Sequence, residues 1–219
     1  MGKEIDLLIN YPKTKRAIDE RSAKKTDSDR EIARKFGRDF FDGSRNHGYG
    51  GFNYSPKFWQ PVIPTFQRHW NLNSKNSILD IGCAKGFMMH DFKKAIPGIT
   101  IKGIDISDYA IENAIEEVRS DVQAGNANNL QFEDKSFDFA ISINTVHNLE
   151  RDDCAKALQE IERVSKKGAF ITVDAYRNQE EKDRMYAWNL TAKTIMSVPD
   201  WVKFFDEVGY TGDYFWFIP

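Results

Sequence analysis

The stretch SILDIGCAKGF, residues 77–87, carries the residue types with the clearest chemical pattern. Its apolar start ends at Asp80, and a turn of small residues that includes Gly82 and Gly86 follows. A glycine turn that joins a parallel strand to the next helix lets a ligand approach the backbone and the N-terminus of that helix. We therefore expect a ligand-binding site at this turn.

A second acid strengthens this expectation. An acid at the tip of the second strand, about 20 residues after the turn, is placed to accept hydrogen bonds from ribose hydroxyls. Asp105, in the stretch IKGIDIS, has this position. The turn together with Asp105 indicates a nucleoside ligand more specifically than the glycine spacing does alone.

The acid before the turn decides between two classes of ligand. A dinucleotide-binding turn reads G-x-G-x-x-G, whereas here Gly82, Ala84 and Gly86 stand at every second position. The carboxylate of Asp80 would repel a pyrophosphate and attract an ammonium group. S-adenosylmethionine has an amino-acid end, a sulfonium and an adenosine, so these residues suit it better than they suit NAD.

The elements that must position these residues are short apolar runs that alternate with amphipathic stretches. The sequence predicts strands in SILDI, ITIKGIDI, DVQAGNA, FDFAISI, AFITVDA and DYFWFI. This alternation predicts an α/β fold of three layers, with a doubly wound, mostly parallel sheet and helices on both faces. We divide the chain into an N-terminal helical lid, residues 1–70, and a cofactor-binding core, residues 71–219.

Periodicity and capping residues predict the helices. Ile32, Phe36 and Phe40 recur at every fourth position and predict one helix. Asp27 or Ser28 is the expected N-cap of that helix. In the core, SDYAIENAIEEVRS predicts a single helix, and RDDCAKALQEIERVSKK predicts another that the following glycine ends.

Three motifs in order resemble one known family. ILDIGCAKGF is similar to the first motif, D-x-G-x-G-x-G, of the seven-stranded class I S-adenosylmethionine-dependent methyltransferases, in the group of small-molecule type 11 enzymes. GIDIS is similar to the second motif of that family. GNANNLQFEDKSFDFAISINTVHNL, residues 125–149, is similar to its third and fourth motifs. The resemblance covers residues 75–175 and implies the Rossmann-like fold and the S-adenosylmethionine cofactor of that family.

The resemblance implies a role for each matching position. Asp80 and the backbone of the turn would hold the methionine end, and Asp105 would bind the ribose hydroxyls. Ile106 would pack on the adenine, whose edge Asn126 would read, and Asn144 would lie beside the sulfonium. The implied cofactor-binding residues are Asp80, Gly82, Cys83, Ala84, Gly86, Asp105, Ile106, Asn126, Ala127 and Asn144.

The chain departs from the family pattern at three places. Ala84 stands where the middle glycine of the motif is usual, and Asn126 stands where Asp is commoner. The family normally ends its sheet with an antiparallel pair, but only one clear strand follows the last predicted helix. The sequence therefore does not decide which strands form the outer edge of the sheet.

The candidate catalytic residues are His147, Tyr49 and Asn144. His147, in NTVHNL, is the expected general base, because hydroxyl acceptors must lose a proton and an ordinary histidine titrates at about pH 6.5. The alternative is that His147 packs under the cofactor and bonds to a backbone carbonyl. Asn144 is expected to orient groups rather than to transfer protons.

The loop RNHGYGGFNY, residues 45–54, is a second candidate for the acceptor side. If it folds over the cofactor, Tyr49, Tyr54 and His47 would line the substrate chamber, and Arg45 would pair with a carboxylate. Its glycines permit close backbone approach or motion of a lid. The alternative is a surface loop that two aromatic side chains fix in place.

Composition narrows the classes of partner. The 219 residues include 31 basic and 33 acidic ones, so the net charge of −2 gives no argument for a nucleic-acid or membrane-surface partner. No apolar run reaches the roughly 20 residues of a membrane span. Cys83 and Cys154 lack metal-ligand spacing and fit a reducing cytoplasm. We expect a cytoplasmic protein with a small-molecule substrate and no metal, and a homo-oligomer stays open.

Three functions remain possible from the sequence. The preferred one is a methyltransferase that acts on a small metabolite or biosynthetic intermediate. An NAD-type oxidoreductase is a second, and Asp80 and the segment 125–149 count against it. A third is a regulatory subunit that binds S-adenosylmethionine without turnover, which the acids of the site do not exclude.

Overall fold

The computed structural model describes residues 2–13, 25–50 and 52–219. The strands in this part of the chain are β1 (Ser77–Ile81), β2 (Thr100–Asp105), β3 (Val122–Ala124), β4 (Phe137–Ile143), β5 (Ser165–Tyr176), β6 (Met196–Ser197) and β7 (Asp213–Phe217). The α-helices are α1 (Asp27–Ala33), α2 (Arg38–Asp42), α3 (Pro56–Trp59), α4 (Ile63–Trp70), α5 (Phe87–Ala95), α6 (Asp108–Glu112), α7 (Arg151–Val164), α8 (Gln179–Trp188) and α9 (Val198–Val208). Two 3₁₀ segments span Glu116–Asp121 and Val146–Asn148.

The strands form one sheet in the order β3-β2-β1-β4-β5-β6, with β7 also paired to β5. Every strand pair in the described residues is parallel. Along the outer edge of β5, β7 pairs with residues 170–174 and β6 pairs with residues 175–176. The predicted doubly wound α/β fold is confirmed, and among the described residues the strands at this edge, β6 and β7, are both parallel to β5.

The core lies on both faces of the sheet. Ile78 and Leu79 are neighbours in β1, yet they join two different apolar clusters, because successive strand residues point to opposite faces. One cluster includes Trp201 of α9, and the other includes Phe66 of α4 and Phe92 of α5. The helices therefore cover a buried parallel sheet from both sides, which gives the three predicted layers.

The helix predicted from the stripe of Ile32, Phe36 and Phe40 is wrong as a single element. Helix α1 ends at Ala33, and Phe36 has a positive φ of 48° that a continuous helix does not allow. Its N-cap is Thr26, which forms a capping box with the third helical residue, so the expected caps were misplaced by one or two positions. The stripe instead spans two short helices that meet at a bend.

Two core helices also differ from the prediction. The single helix expected for residues 107–120 is interrupted after Glu112, where the N–H of Ile115 donates to the carbonyl of Lys85 at 3.0 Å. Helix α7 ends at Val164, because the next residue already pairs with Phe137 as the start of β5. The glycine that was expected to end α7, Gly168, lies inside that strand.

The N-terminal stretch of the described chain lies along the outside of β7. The N–H of Ile5 donates to the carbonyl of Tyr214, and the N–H of Tyr214 donates to the carbonyl of Lys3, both at 3.0 Å. Leu7 is buried in the core beyond these bonds. The division of the chain into two parts at residue 70 stays a prediction. Phe66 lies before this division, yet it packs in the same apolar cluster as Phe92, which lies after it. No helix among the described residues combines the length and apolar character needed to cross a bilayer.

Candidate active site

The predicted ligand residues meet at one edge of the sheet. Asp80 pairs in register with Gly103 of β2, and Asp105 pairs with Ala124 of β3. Because parallel strands end at the same edge, the turn after β1, the acid of β2 and the segment after β4 lie side by side. Asn144 is the first residue after β4. The structure thus brings together the groups expected to hold the cofactor.

The turn after β1 depends on its small residues for internal reasons. Gly82 and Gly86 have positive φ values of 84° and 75°. A Cβ on Gly82 would collide with the Thr145 side chain, and one on Gly86 would collide with Val118. The glycines are therefore required by the backbone and by neighbouring side chains, and not only by the approach of a ligand that the sequence predicts.

Asp105 holds this turn in place through hydrogen bonds. It also lies at the edge of the sheet where the ligand is expected, which is called the ligand edge below. One carboxylate oxygen accepts the N–H of Ala84 at 2.8 Å, and the other accepts the N–H of Ser107 at 2.9 Å. The residue is 8% exposed, and burial raises its pKa while the two N–H donors oppose that rise. Each oxygen keeps a lone pair for a ligand hydroxyl. Asp105 is therefore oriented before any ligand arrives.

Asp80 is a buried acid without a hydrogen-bond partner among the described residues. It is 2% exposed. Burial, together with the charge of Asp105, raises the pKa of Asp80 to about 8. A carboxyl group in this state is stabilised by a cation, so it suits the ammonium group of an amino acid.

The adenine side of the expected site has two features. Ile106 is 56% exposed directly after Asp105, so an apolar surface is available for a ring. The side-chain oxygen of Asn126 accepts the N–H of Asn128 at 3.2 Å, and its amide nitrogen remains as a donor. Ala127 is buried beside it. These residues, with Asp80 and Asp105, fit the amino-acid, ribose and adenine parts of S-adenosylmethionine.

Asn144 is exposed and is held by β5. Its φ is 52°, and its backbone N–H donates to the side-chain oxygen of Thr172 at 2.9 Å. The Thr172 hydroxyl in turn donates to the Asn144 side-chain oxygen at 2.8 Å. The side-chain oxygen is thus engaged within the protein, and the amide nitrogen is the group available to a ligand.

His147 is fixed as a neutral acceptor inside the protein. Its Nδ1 accepts the backbone N–H of Asp174 at 2.9 Å. The residue is 3% exposed, and burial lowers its pKa to about 3. Its backbone carbonyl accepts the N–H groups of Lys193 and Thr194. This arrangement favours the packing alternative for His147, with a bond to a backbone N–H in place of the expected carbonyl.

Tyr49 joins its loop to the segment after α8. Its hydroxyl oxygen accepts the N–H of Leu190 at 2.7 Å and that of Thr191 at 3.3 Å. Its ring stacks on Trp188 with 5.7 Å between centroids. The ring is partly exposed, but loss of water around the hydroxyl, helped by the charge of Asp174, raises the pKa of Tyr49 to about 12. Tyr49 is therefore a neutral phenol at ordinary pH.

The other residues expected around Tyr49 point elsewhere. The Tyr54 hydroxyl donates to Asp91 of α5 at 2.6 Å. His47 lies 3.1 Å from the carboxylate of Asp29 in α1. Arg45 donates to the carbonyl of Tyr49 at 2.9 Å. Tyr54 and His47 thus join the loop to α5 and to α1, whereas the Arg45 bond lies within the loop, and the structure does not gather these side chains into one chamber.

A buried ion pair next to the turn was missed by sequence reasoning. Lys85 is buried, and its ammonium donates to both carboxylate oxygens of Asp42 at 2.6 Å. The Tyr109 hydroxyl donates to the same carboxylate at 2.7 Å. Burial would raise the pKa of Asp42, but the hydrogen bonds from Lys85 and Tyr109 outweigh it and lower the pKa. The signal in the sequence was a lone charge in a turn of small residues.

No group of His, Cys, Asp or Glu in the described ranges is arranged to hold a metal ion. Cys83 and Cys154 are both buried, free thiols. Burial raises the pKa of Cys154 to about 12, so this thiol does not act as a nucleophile at ordinary pH.

Comparison with known proteins finds one matching family and several relatives. Residues 79–173 match a protein family described as a methyltransferase domain. The O-methyltransferase resE of Aspergillus sclerotiorum is 37% identical over 108 residues, which cover 44% of this chain and 38% of the relative. A tRNA (carboxymethyluridine(34)-5-O)-methyltransferase of Arabidopsis thaliana is 28% identical over 174 residues, which cover 78% of this chain and 40% of the relative. The chain thus spans less than half the length of these two relatives.

A solved structure shares the fold. The crystal structure of MccD protein aligns with a TM-score of 0.56 and 24% sequence identity, covering 71% of this chain and 72% of that chain. Its likeness supports the Rossmann-like sheet described above. Residues 79–173 of this chain are therefore similar to a methyltransferase domain, and the sheet has the fold of this solved structure.

Proposed function

We propose that this chain transfers the methyl group of S-adenosylmethionine to an oxygen atom of a small-molecule acceptor. The observation that carries the proposal is the buried, unpartnered carboxyl group of Asp80 beside the oriented carboxylate of Asp105. The O-methyltransferase relative supports oxygen as the acceptor atom. The near-neutral net charge of −2 supports a small molecule over a polyanion.

The residues of the chain act by binding and orientation. When bound, the cofactor supplies a methyl carbon that the sulfonium has already activated, so the protein chiefly supplies position. Asp80 would bind the ammonium group and Asp105 would bind the ribose hydroxyls. Ile106 would cover the adenine, and the side-chain amide of Asn144 would orient polar groups of the ligand.

The two titratable candidates of the acceptor side are poorly suited to take a proton. His147 has its Nδ1 engaged and a pKa of about 3, and Tyr49 is a neutral phenol whose oxygen accepts two N–H bonds. An acceptor oxygen that is already ionised near neutral pH, as in a carboxylate or an acidic phenol, needs no base. We therefore propose such an ionised oxygen as the acceptor, and His147 as a packing residue.

A nucleic-acid acceptor is the second candidate. The Arabidopsis relative, which is named as a tRNA methyltransferase, matches 78% of this chain, whereas the fungal relative matches 44%. The net charge of −2 weighs against it, because phosphate contacts usually bring an excess of basic residues.

One labelling experiment separates these candidates. The protein is incubated with methyl-labelled S-adenosylmethionine and either a metabolite extract or total tRNA, with Asp105→Ala as the matched control. Label in extract that mild alkali releases as methanol indicates a methyl ester. Alkali-stable label is identified by mass spectrometry, where a methyl ether supports the proposal and an N-, S- or C-methyl product overturns oxygen as the acceptor atom. Label in tRNA would establish the second candidate and overturn the proposal.

Binding measurements cover the remaining alternatives. Calorimetry compares S-adenosylhomocysteine with NAD, and we expect only the former to bind. Binding of S-adenosylhomocysteine without label in either pool would identify a regulatory subunit. Binding of NAD alone would identify an oxidoreductase.

A further inference from the structure

Lys85 belongs to the glycine turn, but its side chain bonds to a separate segment of the chain. It directly follows Ala84, whose N–H donates to Asp105. Its own side chain leaves the turn and reaches the segment 25–50 and 52–54, called the cover segment below. There it donates to Asp42 and, at 3.0 Å, to the carbonyl of Phe52. One side chain thus joins the ribose-binding end of the site to the cover segment.

A second link joins the cover segment to the other side of Asp105. The hydroxyl of Ser107 donates to the carbonyl of Phe36. Ser107 also donates its backbone N–H to the carboxylate of Asp105. The cover segment is therefore attached on both flanks of this acid, through the residue after Ala84 and through Ser107 itself.

More distant contacts hold the cover segment across the whole ligand edge. Tyr54 bonds to Asp91 on the α5 side, and Tyr49 stacks on Trp188 at the end of α8. Of the connections named, the pair of Lys85 and Asp42 is the one that combines two opposite charges with burial of the lysine. Removing one partner leaves the other charge uncompensated, so we expect the loss of this pair to loosen the segment.

Asp80 and Asp105 are both buried at the edge that the cover segment crosses. We propose that Lys85 is a positioning residue whose ion pair with Asp42 fastens the cover segment over the bound cofactor and limits how fast cofactor and product exchange. This inference rests on the cofactor site proposed above. Lys85 acts through Asp42 and does not itself contact the cofactor.

The test measures how fast S-adenosylhomocysteine leaves the protein. The variants are Lys85→Met, Asp42→Asn and the double variant, and the readouts are stopped-flow fluorescence and amide hydrogen exchange of residues 25–50. Trp188 is a natural reporter, because it stacks on Tyr49 of the cover segment. We expect each single variant to release the ligand about tenfold faster, and the double variant to release it no faster than the singles. Hydrogen exchange of the cover segment should increase in all three.

The control breaks an ion pair of an exposed lysine away from the ligand edge, which tests whether loss of any lysine–aspartate pair speeds release. Lys167 lies 3.1 Å from Asp138 near the amino ends of β5 and β4, so Lys167→Met should leave release unchanged. Unchanged release in folded Lys85→Met and Asp42→Asn would overturn the inference. Faster release in Lys85→Met alone would also overturn it, because Lys85 would then contact the cofactor directly. If the wild-type protein fails to bind S-adenosylhomocysteine at all, the proposed function fails instead.

Should Lys85→Met not fold, Asp42→Asn carries the test, because Asn keeps the shape of the side chain and Tyr109 can still donate to its oxygen. Thermal melting of each variant separates loss of the fold from faster exchange. A folded Asp42→Asn protein with wild-type release and wild-type hydrogen exchange would by itself contradict the role of the pair.

Discussion

The carboxylate of Asp105 accepts the backbone N–H of Ala84 at 2.8 Å, so the acid at the tip of β2 holds the turn that follows β1. Ala84 has a φ of 50°, a conformation that a non-glycine residue adopts at some cost. The same acid is the proposed partner of the ribose hydroxyls. Ligand binding and the shape of the turn therefore depend on one side chain.

Replacing Asp105 tests both roles. Asp105→Ala removes charged hydrogen bonds to the ribose and should weaken binding of S-adenosylhomocysteine by about 1.5–3 kcal/mol, measured by calorimetry. It also leaves the N–H groups of Ala84 and Ser107 without their acceptor, so the melting temperature should fall. Unchanged affinity in a folded variant would remove Asp105 from the cofactor site.

Asp80→Asn should stabilise the free protein at neutral pH. The pKa of Asp80 is about 8 in the folded protein and 3.8 in the unfolded chain, so its contribution to stability is present below about pH 4 and is lost as the pH rises through 8. Asn cannot ionise and avoids this loss. Urea unfolding at about pH 7.5 should therefore show a gain of about 1–4 kcal/mol, which shrinks towards pH 4.

The same acid makes cofactor binding depend on pH. The free protein holds a proton on Asp80 below pH 8, and the ammonium group of the ligand favours the ionised form. Binding should release a proton, and the affinity for S-adenosylhomocysteine should rise between about pH 6 and pH 8. Calorimetry in buffers of different ionisation enthalpy measures this proton. A pH-independent affinity, or an Asp80→Asn variant that binds as tightly as wild type, would contradict the assignment.

Two substitutions of His147 separate packing from proton transfer. Asn offers an oxygen near the position of Nδ1, so His147→Asn should keep the bond from the Asp174 N–H and keep turnover within about tenfold. His147→Ala leaves that N–H unsatisfied and should cost about 1–3 kcal/mol of stability. With its pKa of about 3, His147 should add no inflection to the rate between about pH 6 and pH 8. A loss of about 10²–10⁴-fold in both variants would establish a general base.

Tyr49→Phe should act on stability more than on chemistry. The variant removes the oxygen that accepts the N–H groups of Leu190 and Thr191, which should cost about 1–3 kcal/mol in urea unfolding. Turnover at saturating substrate should fall less than tenfold, because the phenol is not ionised at working pH. Tyr54→Phe, which removes the bond to Asp91, is the matched control. An inactive Tyr49→Phe protein with wild-type stability and cofactor affinity would show that the phenol takes part in the transfer.

The strands and the ligand edge could be predicted because they depend on local patterns. SILDI and FDFAISI are buried runs bounded by polar or turn residues, and they match β1 and β4 residue for residue. Asp80 is the last but one residue of β1 and Asp105 ends β2, so their meeting at one edge follows from the parallel order. The bend at Phe36 could not be predicted, because the apolar stripe continues through it and only the backbone conformation reveals it.

The protonation states and the contacts of the residues at the site could be read only from the tertiary structure. Gly82 is fixed by Thr145, a residue far along the chain, and His147 is neutral because β5 and the segment after α8 enclose it. Lys85 meets Asp42 across 43 positions of sequence. No periodicity links such residues, so the sequence indicated which groups stand at the site but not which of them are already engaged.

The backbone bonds of Lys3 and Ile5 to Tyr214 have a consequence for how molecules of this protein meet one another. A terminal strand of a sheet offers a row of free amides that can recruit the same strand of a second molecule and begin aggregation. Here the chain's own backbone occupies the first half of β7, so that row is short. Without the pairing of Lys3 and Ile5, the edge of β7 would be exposed and could pair with the same strand of another molecule.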